Sequence, residues 1–454
     1  MIPPEKRAKH VNEDNQDRFS DLPDCVILHI LSFLNSKNAV QTCVLSTRWK
    51  HRWKHIPSLI LHSSNFSNKK RFATFVSQIL TLRDSSTALH ALDLERDGII
   101  EPKILKMILN YVCSHNIHIQ RLGIDVTADR CLILSCISKC QALTSLKLSV
   151  YPRDGDNIYT KMLFPKSLNL PLLTNLDLTY FFFCGCENGC ADPFSAFTKL
   201  NSLVISSCKV KDAQILSISS ETLVDLTIHS FSYKFPQIKL STPSLCTFTF
   251  NGKFVQKICG NGLSSVRQVN IDAQDCVVEY ALVLLTWLQD LVSVESLIIT
   301  STTLQILSLV PDLLEVKLSS LSNLKLLQVE LLPLCYGLLS HLMEKAMLKK
   351  TAAKSLKEVD NVRKAFELGL EPPHIPDGII DFLRQNSPSA EVNLSTRFPG
   401  FFNLKQIKEF LNGTKNTINH SQFAVSGSAF APASADEFAS ATAPASAAPP
   451  NLQH

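Results

Sequence analysis

The sequence predicts an α/β protein: a small all-helical module at the N-terminus, then a parallel sheet built from repeats, then a helical C-terminal region. Three observations carry this reading. Residues 20–57 place apolar side chains at helical spacing behind cap-forming Ser and Asp residues. Residues 85–334 repeat one apolar pattern at a nearly regular interval. After 334 the periodicity is helical again, with Pro372 and Pro373 as a stop.

The N-terminal module is read in chain order as three short helices. Asp21 or Ser20 can cap the first, and Pro23 suits its first turn because its missing N–H is not needed there. Ile27, Leu28, Leu31 and Leu34 then recur at helical spacing. Ser36 offers a cap before Val40 and Val44, and Ser46 another before Trp49 and Trp53, which share a face. Helices this small cannot enclose all of that apolar surface, so part of it is expected to face a partner.

The template L-x-x-L-x-L follows eleven times, beginning at Leu89, Ile119, Leu143, Leu173, Leu200, Leu223, Leu245, Val266, Val294, Leu313 and Leu324. From Leu89 to Leu313 the steps are 30, 24, 30, 27, 23, 22, 21, 28 and 19 residues, around the spacing of leucine-rich repeats. The last step, 11 residues, is too short for a full repeat and suggests a strand without its return segment. In each unit the second and third apolar positions are two apart, so a short strand points both to one side. One such side chain contributes ~1.5–3 kcal/mol on burial, which only stacked units can realise. A parallel sheet on the concave face is the expected result. Cys208 falls where the repeat wants an inward Asn or Cys, and core packing is its expected role.

Downstream, Tyr336–Leu368 reads as a helix with an apolar side and a lysine-rich remainder, Asp377–Gln385 as a second, and Leu404–Leu411 as a last amphipathic stretch, with an apolar alternation at Val392 and Leu394. From Ser421 an Ala/Pro/Ser-rich tail has too few large apolar residues to fold. The expected boundaries are a disordered 1–16, the helical module at 17–60, repeats at 61–334, helices at 335–420 and a disordered 421–454.

Composition narrows the function classes. Forty-five Lys and Arg against 40 Asp and Glu leave a formal charge of +5, too slight to imply nucleic acid or a membrane. The N-terminus MIPPEKRAKH lacks the apolar stretch of a secretory signal, and the longest apolar run, Tyr280–Leu288, is far short of a membrane span. Nucleus and/or cytoplasm is the expected location, with Glu5-Lys6-Arg7-Ala8-Lys9 a weak nuclear address. In a reducing compartment the 14 cysteines are expected as buried free thiols.

The segment Leu22-Pro23-Asp24, Ile30-Leu31-Ser32-Phe33-Leu34, Cys43-Val44-Leu45-Ser46 and Arg48-Trp49-x-x-x-Trp53 resembles the F-box of plant F-box/leucine-rich-repeat proteins. The resemblance implies that the F-box binds the SKP-family adaptor of an SCF-type cullin–RING ubiquitin ligase while the repeats hold a protein substrate. It also implies that Leu22, Pro23, Ile27, Leu28, Leu31, Val44, Leu45 and Trp49 occupy adaptor-facing or packing positions, two roles the sequence does not separate. Many plant relatives end in a further module, FBD; the region after 334 follows that pattern poorly and is left unassigned. A leucine-rich-repeat scaffold with a degenerate F-box is the alternative, given departures such as Cys25 and Asn35.

Other chemistries find little support. Arg48 to His55 interleaves cations with aromatics as a single-strand nucleic-acid platform would, but on a helix the two Trp side chains point inward. Cys131/Cys136/Cys140 and Cys184/Cys186/Cys190 contain no C-x-x-C, and His51–His55 lacks the Glu of a metalloprotease helix, so neither metal nor cofactor is expected. No phosphate loop, nucleophile elbow or kinase signature occurs, and the chain is expected to be non-catalytic.

Residues flanking the buried pair of each strand are expected on the concave face: Asn175, Asp177, Asp225, His229, Asn251, Asn270 and Lys317 among them, on a mostly polar, uncharged surface. Tyr180-Phe181-Phe182-Phe183 breaks this texture, and closure of the core over the Cys-rich insertion is favoured over an exposed anchor.

Overall fold

The structure, a computed structural model, describes residues 22–396 apart from 152–162, 166–167, 186–188, 231–236, 253–256, 274–277, 311, 333–374 and 376–377. The expectations for residues 1–16, the helices at 336–368 and 404–411, and the Ala-rich tail lie outside these.

The first helix, α1 (Asp24–Ser32), starts directly after Pro23, and Ile27 and Leu31 are fully buried on its inner side. The second, α2 (Ser36–Gln41), is capped by Asn35, whose side chain accepts from Asn38 N at 2.9 Å. The expected cap Ser36 lies inside the helix instead, and its hydroxyl accepts from Ile60 N at 2.9 Å. The expected third α-helix is also corrected. After the 3₁₀ turn Thr42–Val44, residues 47–51 form turns and Arg52–His55 a second 3₁₀ turn, so Ser46 caps no helix. Trp49 and Trp53 still point inward.

The chain then enters the sheet earlier than expected. Strand β1 (Ser58–His62) straddles the boundary expected between the helical module and the repeats at residue 60, and Ile56-x-x-Leu59-x-Leu61 is itself a copy of the template. Next come α3 (Lys69–Leu82), β2 (Ala91–Ile99), α4 (Pro102–Ser114), β3 (Arg121–Thr127), α5 (Arg130–Ile137), β4 (Ser145–Tyr151) and β5 (Asn175–Thr179). Short strands follow: β6 (Phe182–Cys184), β7 (Cys190–Ala191), β8 (Ser202–Ser206), β9 (Lys209–Lys211), β10 (Ile215–Ser219), β11 (Asp225–Ser230), β12 (Gln237–Ser241), β13 (Thr247–Gly252), β14 (Lys257–Gly260) and β15 (Gln268–Ala273). The described chain closes with α6 (Val278–Asp290), β16 (Ser296–Thr300), α7 (Ser301–Leu307), β17 (Leu326–Leu331), α8 (Ile379–Asn386) and β18 (Glu391–Thr396).

Twelve strands form one sheet in the order β1-β2-β3-β4-β5-β8-β11-β13-β15-β16-β17-β18, every neighbouring pair parallel. The register aligns the repeat positions: Leu59, Leu92, Leu122, Leu146, Leu176, Leu203, Leu226, Phe248, Val269, Leu297, Leu327 and Val392 make one inward row. Ten of the eleven template matches are strands of this sheet. The exception is Leu313-Val316-Leu318, which lies on the 3₁₀ turns Leu313–Glu315 and Ser319–Asn323. There Leu313 and Leu318 are buried without any strand to carry them.

Each strand returns through a segment on the other side of the sheet, and its form sets the local repeat length. The 13-residue helices α4 and α6 accompany steps of 30 and 28 residues. The 8-residue α5 accompanies 24, and the strands β10, β12 and β14 accompany 23, 22 and 21. Those three strands and β7 form a second, four-stranded parallel sheet in the order β14-β12-β10-β7. Phe181, Phe182 and Phe183 are buried, Phe164 packing against Phe181 and Phe183 with ring centroids 5.7 and 6.0 Å apart, so these rings close the core as favoured. Cys208 is buried as expected, its thiol donating to Leu178 O at 3.4 Å and accepting from Phe181 N at 3.5 Å; burial pushes that thiol up to about 12.

At the far end, the region read as wholly helical is not. The helix expected at 377–385 appears as α8, but Val392 and Leu394 belong to β18, the twelfth strand of the sheet. The cysteine expectation is corrected too: Cys136, Cys140 and Cys208 are buried, whereas Cys25 and Cys131 are exposed and the other described cysteines are half-buried. Among the described residues the thiols are free, no group of three or more His, Cys, Asp or Glu is placed to hold a metal, and no helix is long and apolar enough to cross a membrane.

Candidate functional site

Burial sorts the eight candidate residues of the helical module into three sets that their sequence chemistry does not distinguish. Ile27, Leu31 and Trp49 are core. Leu22 and Leu28 are half-buried, while Pro23 is exposed. Val44 and Leu45 are 83% and 65% exposed, immediately after α2. Three further apolar side chains of α1 and its end are exposed and were not among the eight candidate positions: Val26, Ile30 and Phe33, the last 73% exposed. Exposed side chains of this size on so short a stretch cost solvation unless a partner covers them.

The same module is held rigidly on its other side. Arg48 and Arg52 both reach Asp24, at 2.9 and 2.7 Å, pinning the turn segment to the first turn of α1. The Arg48 hydrogen bond is the largest reason that the Asp24 carboxyl sits below the usual carboxylate range. With Trp49 and Trp53 buried and these two cations engaged, the segment 48–55 presents no stacking platform for bases. Arg83, itself buried, donates to Ile56 O (2.7 Å), Thr87 O (2.9 Å), Ala88 O (3.1 Å) and the Tyr111 hydroxyl (2.6 Å). One guanidinium thus joins the end of the helical module to α3, the approach to β2, and α4.

The outward face of the large sheet is the second candidate surface. One row crosses every strand: Ile60, Asp93, Gly123, Lys147, Asp177, Val204, Thr227, Thr249, Asn270, Ile298, Gln328 and Asn393. The structure therefore brings Asp177 and Asn270 into one line. Asn175 and Asp225 share the row before it, and His229 and Asn251 the row after. Lys317 is not on this face, because the strand expected around it is replaced by 3₁₀ turns.

The face is uncharged only in part. From β8 to β17 the crossing row holds no charged side chain, but its first strands carry a charged zone. His62 Nε2 lies 3.0 Å from Asp93, with Glu95 at 3.7 Å from the other ring nitrogen. Gly123 leaves the space into which Asp93 leans, since a Cβ there would stand 2.5 Å from its carboxylate oxygen. Burial raises the Asp125 carboxyl, Lys147 opposes that, and Glu95, Asp93 and Asp177 add to it. Burial likewise raises Asp177. At the rim Tyr151 and Tyr180 pack with ring centroids 5.0 Å apart, Tyr180 at φ 61° and half exposed.

A helical N-terminal module with exposed apolar side chains is thus joined to a sheet of stacked parallel strands with a largely polar outward face. The F-box domain family matches residues 19–61. F-box/LRR-repeat protein 13 of Arabidopsis thaliana is 29% identical over 294 residues, covering 59% of this chain and 63% of that protein. An FBD-associated F-box protein of the same plant is 36% identical over 142 residues, 31% of this chain and 32% of the relative. Another Arabidopsis F-box/LRR-repeat protein is 28% identical over 273 residues, 57% of this chain and 68% of the relative. By these matches residues 19–61 form a segment of the F-box domain type, and the chain as a whole is similar to plant F-box/leucine-rich-repeat proteins. It spans less than two thirds of the length of the first of these relatives.

Proposed function

We propose that the chain is the non-catalytic substrate-recognition subunit of an SCF-type cullin–RING ubiquitin ligase, its F-box binding an SKP-family adaptor and its leucine-rich repeats binding a protein substrate. The observation that carries this reading is the exposure of Val44 and Leu45 inside a segment that matches the F-box domain. Apolar side chains that the fold could have buried are left for a partner, while Ile27, Leu31 and Trp49 hold the shape behind them.

The mechanism is positional. The F-box tethers the receptor to the adaptor, the outward face of the sheet captures a substrate, and transfer by partner subunits gains from raised effective concentration. Rigid connection supports such a role, because Arg83 and strand β1 couple the F-box directly to the first strands. The proposed location is the nucleus and/or cytoplasm, where such ligases meet their substrates.

Co-expression of the intact chain with an SKP-family adaptor tests the reading. Co-purification is expected, and Leu22→Ala with Pro23→Ala should abolish it while the thermal transition of the chain persists. A folded intact chain that fails to co-purify would instead support a leucine-rich-repeat scaffold with a degenerate F-box.

A further inference from the structure

We propose that Cys113 and Cys136 are a redox modification site, joined by hydroperoxides into an intramolecular disulfide that clips together the return helices of two successive repeats. The two sulfurs belong to α4 and α5, 23 residues apart in sequence, and lie 3.1 Å from each other. A disulfide needs an S–S distance of about 2.05 Å, so closing the bond asks for about 1 Å of approach between the two sulfurs. They do not form a metal site, since among the described residues no set of three His, Cys, Asp or Glu is arranged to hold an ion.

The pair is asymmetric in a way that orders the chemistry. Cys113 is half-buried at the last turn of α4 and its thiol donates to Cys136, whereas Cys136 is 3% exposed and its own thiol donates to Leu109 O at 3.5 Å. Cys140, fully buried, stands on the far side and contacts Cys136 O at 3.5 Å. The Cys140 contact, then burial, then the Cys113 contact hold the Cys136 thiol well above its ordinary range, so it is a poor first nucleophile. The oxidant therefore meets Cys113 first.

In the first step the Cys113 thiolate attacks one peroxide oxygen and the O–O bond breaks. Cys113 becomes a sulfenic acid, and the other oxygen leaves as alkoxide, or as hydroxide when the oxidant is hydrogen peroxide, and takes up a proton. In the second, the Cys136 sulfur attacks the Cys113 sulfur, the S–O bond breaks, and the hydroxyl departs as water with the Cys136 proton. Overall two thiols and one hydroperoxide give one disulfide, water and an alcohol, or a second water when the oxidant is hydrogen peroxide. The resolving sulfur is shielded from solvent, which protects the sulfenic acid from further oxidation by placing its reaction partner in contact. Reversal requires a small thiol attacking at Cys113, the accessible end.

The test uses the full chain and hydrogen peroxide, followed by alkylation, non-reducing digestion and mass spectrometry. The expected product is a linked peptide pair containing Cys113 and Cys136, lighter by two hydrogens than the separate peptides and released by dithiothreitol. The treated chain should also melt at a higher temperature, because the bond closes a loop in the unfolded state. Cys113→Ser, a change at a half-buried position, should lose both the linked peptide and the shift. The proposal is overturned if Cys113 and Cys136 both remain open to alkylation after unfolding of the treated chain, if Cys113 proceeds to sulfinic acid with Cys136 free, or if Cys136 pairs with Cys140. The wild-type mass readout needs no variant to fold, and exposed Cys131 serves as the internal reference for oxidation by access alone. Adaptor binding plays no part in the test, so its outcome is separate from the fate of the ligase reading.

Discussion

The F-box and the repeat sheet use the same apolar residue types to opposite ends. In the sheet, a leucine of the inward row such as Leu176 is 1% exposed, and outward positions are mainly polar. In the F-box, Val44 and Leu45 are largely exposed although Ile27 and Leu31 nearby are fully buried. A repeated unit satisfies its own apolar surface by stacking on the next copy, so its free face can be specialised with polar groups. A three-turn module has no neighbour of its own kind, and what it leaves uncovered becomes a demand for a partner.

The sharpest way to break this comparison is to truncate a leucine in each region. Leu176→Ala should cost ~2–5 kcal/mol by cavity formation, read as a lower denaturant midpoint. Leu45→Ala should change stability by less than about 0.5 kcal/mol, as surface substitutions do. Equal losses at the two positions would remove the distinction.

The joint between the regions comes next. Arg83→Leu removes a guanidinium that serves Ile56, Thr87, Ala88 and Tyr111, leaving buried carbonyls without their donor, and a loss of about 3 kcal/mol is expected. Hydrogen exchange should then rise first at residues 56–62 and 88–94. Uniform exchange along the chain would mean that Arg83 does not couple the two parts.

The smallest effect lies on the charged zone. The folded carboxyl of Asp125 is raised above its unfolded value, so the native state favours the protonated form. Its contribution is therefore most favourable below the unfolded pKa and is lost as pH rises through the folded one. Asp125→Asn should be more stable than the parent at pH 7 by a few tenths of a kcal/mol, about the scale of a half-exposed charge, with the difference vanishing in acid. Paired denaturation curves at pH 7 and pH 3.5 check the sign, and a variant less stable at pH 7 would contradict it.

The legible parts of the fold are those where a periodic pattern has one physical solution. Ten template matches became strands because a strand turns apolar residues two apart to one side, where stacking in a parallel row buries them together. Leu313-Val316-Leu318 satisfied the same spacing with 3₁₀ turns; the suspicion raised by the 11-residue step fell on the Leu324 match, which is strand β17. Strand β1 was hidden because Ile56-x-x-Leu59-x-Leu61 follows the F-box without a break. Strand β18 was hidden because Ser389 stands where the template has its first apolar residue. At the F-box the sequence supplied the right segment but not the division of labour, since Ile27 and Val44 are alike in hydrophobicity and only the packing of α1 against the turn segment 46–55 buries one and exposes the other. The charged zone at His62, Asp93 and Asp125 needed the register between strands, which no single repeat reveals.

The measurement closest to the central claim is a binding isotherm between a purified SKP-family adaptor and the intact chain, set beside Val44→Glu with Leu45→Glu and beside Ile27→Val. Two charges placed on the exposed patch should abolish adaptor binding without moving the thermal midpoint, whereas Ile27→Val should lower stability by about 1 kcal/mol and leave affinity nearly intact. Undiminished affinity in the Val44/Leu45 double variant would show that the uncovered apolar patch is not the adaptor surface.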